Sequence, residues 1–340
     1  MVGIGVVGCG NIANMELESL KKVKNAKLVA VADVNIGRAK EYRIKYGAEA
    51  AYGTLEDMLK HPGLDGVLII TPPFLHAEHA ITCAKAGKHI VVQKPFTVTI
   101  EEANRVIKVA KENNVKLMAS FNGRFRSVFI KAKEILASGL IGQPLLFRTQ
   151  FSHGGEYKPF SEVNWFYDPI KSGGGAAMEL AVHHFDIIRW FSGSNFESIT
   201  ADVGTLGPNG KAEDAALINC KLRNGNLVQL FVGLMTKCPP GSNMQWIEVY
   251  GTDGTLILTP VAGDAPSIRV YQHSAREKLV SGWQTIHVID DNGFAVLEQE
   301  FVDAIIENRE PSCTGIDGLE SIRTALAVTE SAKTGRRILL

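Results

Sequence analysis

Residues 2–13 read Val2-Gly3-Ile4-Gly5-Val6-Val7-Gly8-Cys9-Gly10-Asn11-Ile12-Ala13. A short apolar run ends at Gly8, and the G-x-G-x-x-A spacing from there opens a helical pattern. Gly8 permits a tight turn, Gly10 lets the main chain approach a pyrophosphate with no side chain in the way, and Ala13 is small enough for the helix to pack on the strand. The helix start at Asn11 and Ile12 offers unpaired N–H groups and a positive dipole end to the anion. A glycine-rich turn without a ligand is the plain alternative. Context weighs against it, because the pattern follows a strand, precedes a helix and places Gly10 23 residues before Asp33. Asp33 closes the second strand, where a carboxylate can accept from ribose hydroxyls and repels a 2′-phosphate. That favours NAD, while Arg38, whose guanidinium could pair with such a phosphate, keeps NADP open.

Outward from this turn, the chain alternates strands and helices as far as residue 119. Strands are expected at residues 2–7, 27–33, 66–70, 88–92 and 115–119, and helices at 11–22, 36–46, 75–86 and 100–113, which is the pattern of a parallel sheet covered on both faces. Beyond residue 120 the rhythm changes. After a helix over 129–138, Asn224-Gly225 joins strands at 215–222 and 227–234, and Asp253-Gly254 joins strands at 246–250 and 256–259, each as a hairpin. Helices over 294–308 and 316–333 close the chain, the last ending at Gly335. The fold class is therefore α/β: a Rossmann, doubly wound parallel-sheet domain over residues 1–120, and over 121–340 an α/β domain with a large, mostly antiparallel open sheet.

A chain of 340 residues exceeds what one core usually supports, in keeping with two domains. Its 36 basic and 36 acidic side chains cancel, and no Lys/Arg run is long enough to follow a phosphate backbone or an anionic membrane. Nucleic acid and membrane are thus not expected as partners. Cys9, Cys83, Cys220, Cys238 and Cys313 are widely spaced with no C-x-x-C pair, which fits a reducing cytoplasm. His76 and His79, three apart, and the His183-His184 pair match no common zinc spacing, so no metal is expected.

Two segments carry candidate chemistry. Lys94, followed by Pro95, sits just past the C-terminal end of a buried strand, where open α/β sheets bind ligands. Most lysines are solvated surface charges. One held there, close to a nicotinamide's positive charge, could share in proton transfer or hydrogen-bond a reacting oxygen. The second segment is Gly173-Gly174-Gly175 followed by Glu179, His183 and Asp186. On a regular helix these three fall at i, i+4 and i+7, one polar stripe on an apolar helix. A core histidine satisfied by a carboxylate is the plain reading, and a carboxylate-tuned histidine that exchanges a hydroxyl proton is the functional one. His184 points a quarter-turn away and is taken as structural.

With these residues in view, the chain resembles the Gfo/Idh/MocA family of glucose-fructose oxidoreductase, inositol dehydrogenase and rhizopine-catabolism proteins. The resemblance runs from the G-x-G-x-x-A start through Thr71-Pro72 with His76, Ala86-Gly87-Lys88-His89 leading to Lys94-Pro95, and the glycine run with His183, to Ser331-Ala332-Lys333-Thr334-Gly335-Arg336. It implies an NAD(P)-dependent dehydrogenase acting on a secondary alcohol or ketone of a sugar, sugar derivative or cyclitol. Lys94 inherits the family's catalytic lysine, and Gln93 stands where the E-K-P motif has glutamate. His183 inherits the acid/base role, with Glu179 for the usual aspartate and Ala181 for a glycine. Thr71, Pro72 and His76 would line the cofactor, Gln93 and Lys94 would adjoin it, and Asn122, Arg124 and Trp165 would join Glu179 and Asp186 at the substrate. The family's open sheet implies a homo-oligomer, a dimer or a tetramer. The competing readings are a glycosidase in which bound NAD is transiently reduced, told apart by glycoside cleavage without free NADH, and a non-catalytic nucleotide sensor, told apart by cofactor-dependent complex formation without turnover.

Overall fold

The structure, a computed structural model, describes residues 1–154, 165, 168–207, 211–236, 243–259, 266–273, 282–289 and 292–340. Its compact units are discontinuous in sequence: residues 1–122 with 292–322 form one, and residues 123–291 with 323–340 the other. The stretch 292–322, expected with the second domain, therefore belongs to the first unit.

The first unit is built on a six-stranded parallel sheet of β1 (Val2–Val7), β2 (Ala26–Ala32), β3 (Ala50–Tyr52), β4 (Gly66–Ile69), β5 (His89–Gln93) and β6 (Leu117–Ser120) in the order β3-β2-β1-β4-β5-β6. Every residue of β1 and β4 is buried, as befits central strands covered on both faces. The helices α1 (Asn11–Leu20), α2 (Ile36–Tyr46), α3 (Leu55–Met58), α4 (His76–Lys85) and α5 (Ile100–Glu112) alternate with them. Local chemistry sets their ends. Asn35 caps α2 by accepting from the Arg38 N–H at 3.2 Å, Gly47 stops it at φ 76°, and Thr99 with Glu102 forms a reciprocal capping box on α5.

β3 and α3 are additions to the expected pattern, too short to show a period in sequence. A further helix from the 292–322 stretch, α9 (Phe294–Ile306), explains the discontinuity of the unit. Its Phe301 is fully buried, and a Cβ on Gly66 would meet the Phe301 ring at 3.0 Å, so glycine in β4 is what admits this helix to the sheet face.

The second unit carries α6 (Ser127–Ala137), α7 (Pro169–Ser172), α8 (Val182–Ser192) and a nine-stranded sheet. Its strands are β7 (Pro144–Gly154), β8 (Phe196–Gly204), β9 (Ala215–Leu222), β10 (Leu227–Thr236), β11 (Asn243–Gly251), β12 (Gly254–Thr259), β13 (Ser267–Gln272), β14 (Gln284–His287) and β15 (Ile338–Leu339), in the order β14-β13-β12-β11-β7-β10-β9-β8-β15. Both hairpins form as expected, between β9 and β10 and between β11 and β12. The exception to antiparallel pairing is β7 with β10, which run parallel at the centre. One face buries Phe147, Val228, Leu230, Ile247, Val249 and Leu256; Val128 and Phe129 of α6 and Phe185 and Ile188 of α8 are buried in the same unit. The last helix, α10 (Gly315–Thr334), contains the boundary between the units, and Gly335 ends it at φ 66°.

Candidate functional site

In the first unit the cradle residues follow adjacent strands at the carboxyl edge of the sheet. Gly8 comes after β1, Thr71 after β4 and Lys94 after β5, and the strand order reverses between β1 and β4. Gly8 has φ 97°, and a Cβ there would lie 2.6 Å from the Ile70 carbonyl oxygen, so both backbone and space demand glycine. Gly10 is different. A Cβ at Gly10 would meet nothing within 4 Å among the described residues, so none of their atoms requires glycine there. Gly10 is also the N-cap of α1, where no side chain caps the leading N–H groups. A small residue that keeps open space in front of uncapped donors fits a pyrophosphate. Ala13 is fully buried against the sheet, as its place in the motif requires, while Asn11 is exposed and Ile12 half-buried.

Asp33 is held at the mouth of this turn. Its Oδ2 accepts from the Cys9 N–H at 2.9 Å and its Oδ1 from the Asn35 N–H at 2.8 Å, while the Arg38 Nε lies 3.9 Å from Oδ1. The carboxylate is thus fastened to the glycine turn it would serve, with Arg38 alongside as the countercharge. Two residues without a place in the sequence reading complete the turn. The Tyr42 hydroxyl, on α2, donates to the Gly10 carbonyl at 3.0 Å and accepts from Asn14 Nδ2 at 2.7 Å. Spacing within a single helix could not reveal that contact, because its partners are 32 residues apart.

Thr71 and Pro72 are half-buried, and the Thr71 hydroxyl meets His79 Nδ1 at 3.2 Å. His76 is buried, with Nδ1 2.8 Å from the Pro95 carbonyl and Nε2 2.8 Å from the Thr71 carbonyl. Burial drives its pKa down to about 4, so the ring is neutral at ordinary pH and donates to one carbonyl at a time. It ties the segment after β4 to the segment after β5. Lys94 is half-buried, and the bond joining it to Pro95 is cis. The Lys94 N–H donates to Gln93 Oε1 at 2.8 Å, and the Gln93 amide nitrogen donates to the buried Glu16 carboxyl and, at 3.3 Å, to Ser120 Oγ. Asn122 Nδ2 donates to the Asn292 carbonyl at 2.8 Å, a bond that fastens the end of this segment to residues 292–322.

In the second unit a π-helical turn over Ala177–Ala181 precedes α8. Such a turn holds one more residue than an α-turn and is found often at functional sites. It breaks the regular stripe expected of Glu179, His183 and Asp186, since the phase shifts before His183 is reached. Glu179 and His183 are half-buried, and Phe151 meets His183 edge-on at 5.7 Å between ring centroids. Asp186 is completely buried and takes a bidentate pair of hydrogen bonds from Arg124, Nε to Oδ2 at 2.8 Å and Nη2 to Oδ1 at 2.6 Å. Two residues expected at the substrate are therefore joined to each other. His184 is buried and stacked on Phe151, with Thr149 Oγ1 at Nδ1 and Gln245 Nε2 donating to Nε2 at 2.9 Å. Burial pushes its pKa down to about 3. Both nitrogens are satisfied by neutral partners, in line with the structural reading.

The glycine run has a packing explanation as well. Gly173 ends α7 at φ 83°, and a Cβ on Gly175 would lie 1.9 Å from the Glu213 carbonyl oxygen. The Glu213 carboxylate accepts from the Gly175 N–H at 3.0 Å and the Ala177 N–H at 3.4 Å, capping the π-helical turn. Burial raises its pKa against these bonds. Trp165 is half-buried and accepts at its carbonyl from the Asp168 N–H at 3.1 Å; Cys238 lies outside the described residues. Among the described residues no three His, Cys, Asp or Glu side chains are arranged to hold a metal ion, and no helix is long and apolar enough to cross a membrane.

Residues 2–121 match the domain described as "Oxidoreductase family, NAD-binding Rossmann fold", and residues 129–257 match the "GFO/IDH/MocA C-terminal domain". The myo-inositol 2-dehydrogenase of Thermotoga maritima is 28% identical over 351 residues, covering 99% of this chain and 98% of that protein. The scyllo-inositol 2-dehydrogenase (NAD(+)) of Bacillus subtilis is 27% identical over 346 residues, covering 100% and 96%. The crystal structure of an oxidoreductase from Agrobacterium radiobacter in complex with NAD+, L-tartaric acid and magnesium superposes with a TM-score of 0.89 at 24% identity, over 99% of this chain and 98% of that one, a likeness of fold.

Proposed function

Because this chain belongs to the Gfo/Idh/MocA family of NAD-binding oxidoreductases, we propose that it is a dehydrogenase whose bound nicotinamide takes or returns the hydride of a secondary CH–OH group on a sugar, sugar derivative or cyclitol. The observation that carries the reading is the placement of Gly8, Thr71 and Lys94 after three neighbouring strands of one sheet. Neighbouring strands are about 4.8 Å apart, which puts Lys94 roughly 10 Å across the sheet edge from the glycine turn. That is the direction in which a dinucleotide extends from its pyrophosphate to its reactive ring.

Within this scheme Gly8, Gly10, Asn11 and Ile12 receive the pyrophosphate and Asp33 the adenosine ribose. Thr71, Pro72 and Gln93 line the path to Lys94, and His76 holds that path together from behind. Lys94 hydrogen-bonds the reacting oxygen, and His183 exchanges its proton, the ordinary division between an electrophile and a general base. Glu179 adjoins the substrate. Asp33 makes NAD the preferred cofactor, and its contact with Arg38 leaves NADP usable at lower affinity. The inositol dehydrogenases named above support polyols as the substrate class.

The face of the nine-stranded sheet opposite its buried side carries Leu217 and Leu227, 59% and 53% exposed, with Phe231, Trp246 and Ile257 on the same side. Arg148 and Glu248 face each other there at 3.7 Å, so the surface offers both charges and apolar area to a second copy of itself. We assign homo-oligomer contacts to it. The buried free thiols of Cys9, Cys83, Cys220 and Cys313 support a reducing, cytoplasmic setting.

The test is a screen for nicotinamide reduction with inositols, aldoses, sugar acids and nucleotide sugars, each with NAD and with NADP. Turnover on a polyol with NAD is expected. Glycoside cleavage without net reduction, or tight cofactor binding with no turnover on any member of the panel, would replace the dehydrogenase reading.

A further inference from the structure

Behind Lys94 lies a buried acidic pair with no place in the reaction scheme above. Glu16 on α1 and Glu298 on α9 are each 1% exposed. Among the described residues, neither Glu298 carboxyl oxygen has a hydrogen-bond partner. Burial first, and the neighbouring Glu16 charge second, raise its pKa well above the ordinary carboxylate value, favouring its neutral form. Glu16 has a partner in the Gln93 amide nitrogen. The Gln93 side chain thus has two distinct ends: its nitrogen faces Glu16 and Ser120, and its oxygen receives the Lys94 N–H at 2.8 Å. Turned end for end, the amide would set its oxygen against the Glu16 carboxylate and its nitrogen against the Lys94 N–H, and both contacts would repel.

We propose that Glu16 is a positioning residue for Lys94, its carboxylate fixing the Gln93 amide in the one orientation that holds the Lys94 main chain at the end of β5. The family's glutamate beside the lysine is absent here, and the carboxylate comes instead from α1, one side chain further back. The geometry stands by itself; its effect on turnover rests on the role given to Lys94 above. The lock follows the charge of Glu16. Burial raises Glu16 to about 7, opposed by the hydrogen bond from Gln93, and the titratable group facing it from α9 is Glu298, whose own pKa is raised by burial. Once protonated, Glu16 can donate to a turned Gln93 oxygen. Lowering the pH through about 7 therefore releases the amide and with it the Lys94 N–H.

The test uses the full-length protein without added cofactor, labelled with ¹⁵N-lysine, the Lys94 amide signal being identified by its loss in Lys94→Arg. That signal is expected to shift with pH around a midpoint near 7 in the wild type and to lose this dependence in Glu16→Gln. In the loaded enzyme, Glu16→Leu should lower kcat about 10-fold while cofactor Kd stays within about 2-fold, and Glu16→Gln should recover most of the loss. A Lys94 amide that does not titrate in the wild type, or that titrates alike in Glu16→Gln, overturns the proposal. So does an unchanged kcat in Glu16→Leu when Lys94→Met is inactive. If Lys94→Met keeps full activity, the reaction scheme fails instead, and the amide titration still decides the role of Glu16.

Discussion

In the proposed scheme, His183 and Asp33 are the residues at which substitution separates chemistry from binding. A positioned acid/base commonly contributes ~10²–10⁴-fold, so His183→Ala should lower kcat within that range and leave NADH affinity, read by fluorescence titration, nearly unchanged. Full activity on the best substrate would remove His183 from the reaction. Asp33→Ala acts on the cofactor. It takes away the acceptor of the Cys9 and Asn35 N–H groups and leaves Arg38 without its countercharge. Hydrogen bonds to a charged group are each worth about 1.5–3 kcal/mol, so KM for NAD should rise roughly 10- to 100-fold while NADP loses less or gains. An unchanged preference would show that Asp33 serves only to brace the turn. The glycine turn after β1 and the place of Asp33 after β2 were legible in the sequence as structure, because their requirements are local and their spacing is set by one strand, one helix and one more strand. Tyr42 and Glu16 were not, since each acts on a residue that only folding brings near.

At the level of elements, α1, α2, α4 and α5 lay close to where the periodicity put them, because each has a buried face and a recognisable end. The expected stripe through Glu179, His183 and Asp186 assumed a uniform helix, and the π-helical turn at Ala177–Ala181 broke that assumption. No apolar period announces such a turn, and the Glu213 carboxylate that accepts from Gly175 and Ala177 at its start lies 36 to 38 residues away in sequence. The same limit hid the pairing of Arg124 with Asp186. This buried pair fastens the turn after β6 to α8, so Arg124→Met takes the bidentate cation away from a fully buried carboxylate and should cost about 3–5 kcal/mol. Arg124→Met with Asp186→Leu should recover most of that, since neutral apolar replacements of a buried pair are often tolerated. Urea unfolding of both variants measures the difference, and equal losses in the single and double variants would show that the pair is not the fastening.

For the molecule as a whole, two sets of buried titratable groups oppose each other in their effect on stability with pH. His76 and His184 have folded pKa values lowered by burial to about 4 and about 3, from an ordinary 6.5. Their contribution is intact above pH 6.5 and is lost as pH falls below it, because the unfolded chain takes up protons that the folded one refuses. Glu16 and Glu298 behave in the opposite sense. Their folded values are raised from 4.5, Glu16 to about 7 and Glu298 well above the ordinary value, so their contribution is intact below pH 4.5 and declines as pH rises through the folded values. Between pH 4.5 and 6.5 the two sets offset each other, and above 6.5 only the carboxyls still change. Glu298, buried with no hydrogen-bond partner among the described residues and with the pKa raised furthest, dominates that upper limb. Glu298→Met keeps the side-chain length in an apolar site and removes the group that must lose its proton on unfolding. Its melting temperature should exceed that of the wild type by several degrees at pH 8, and the gain should shrink steadily towards pH 5. A gain independent of pH would assign the effect to packing around α9 alone, and a loss at pH 8 would mean that the Glu298 carboxyl has a partner that stabilises it.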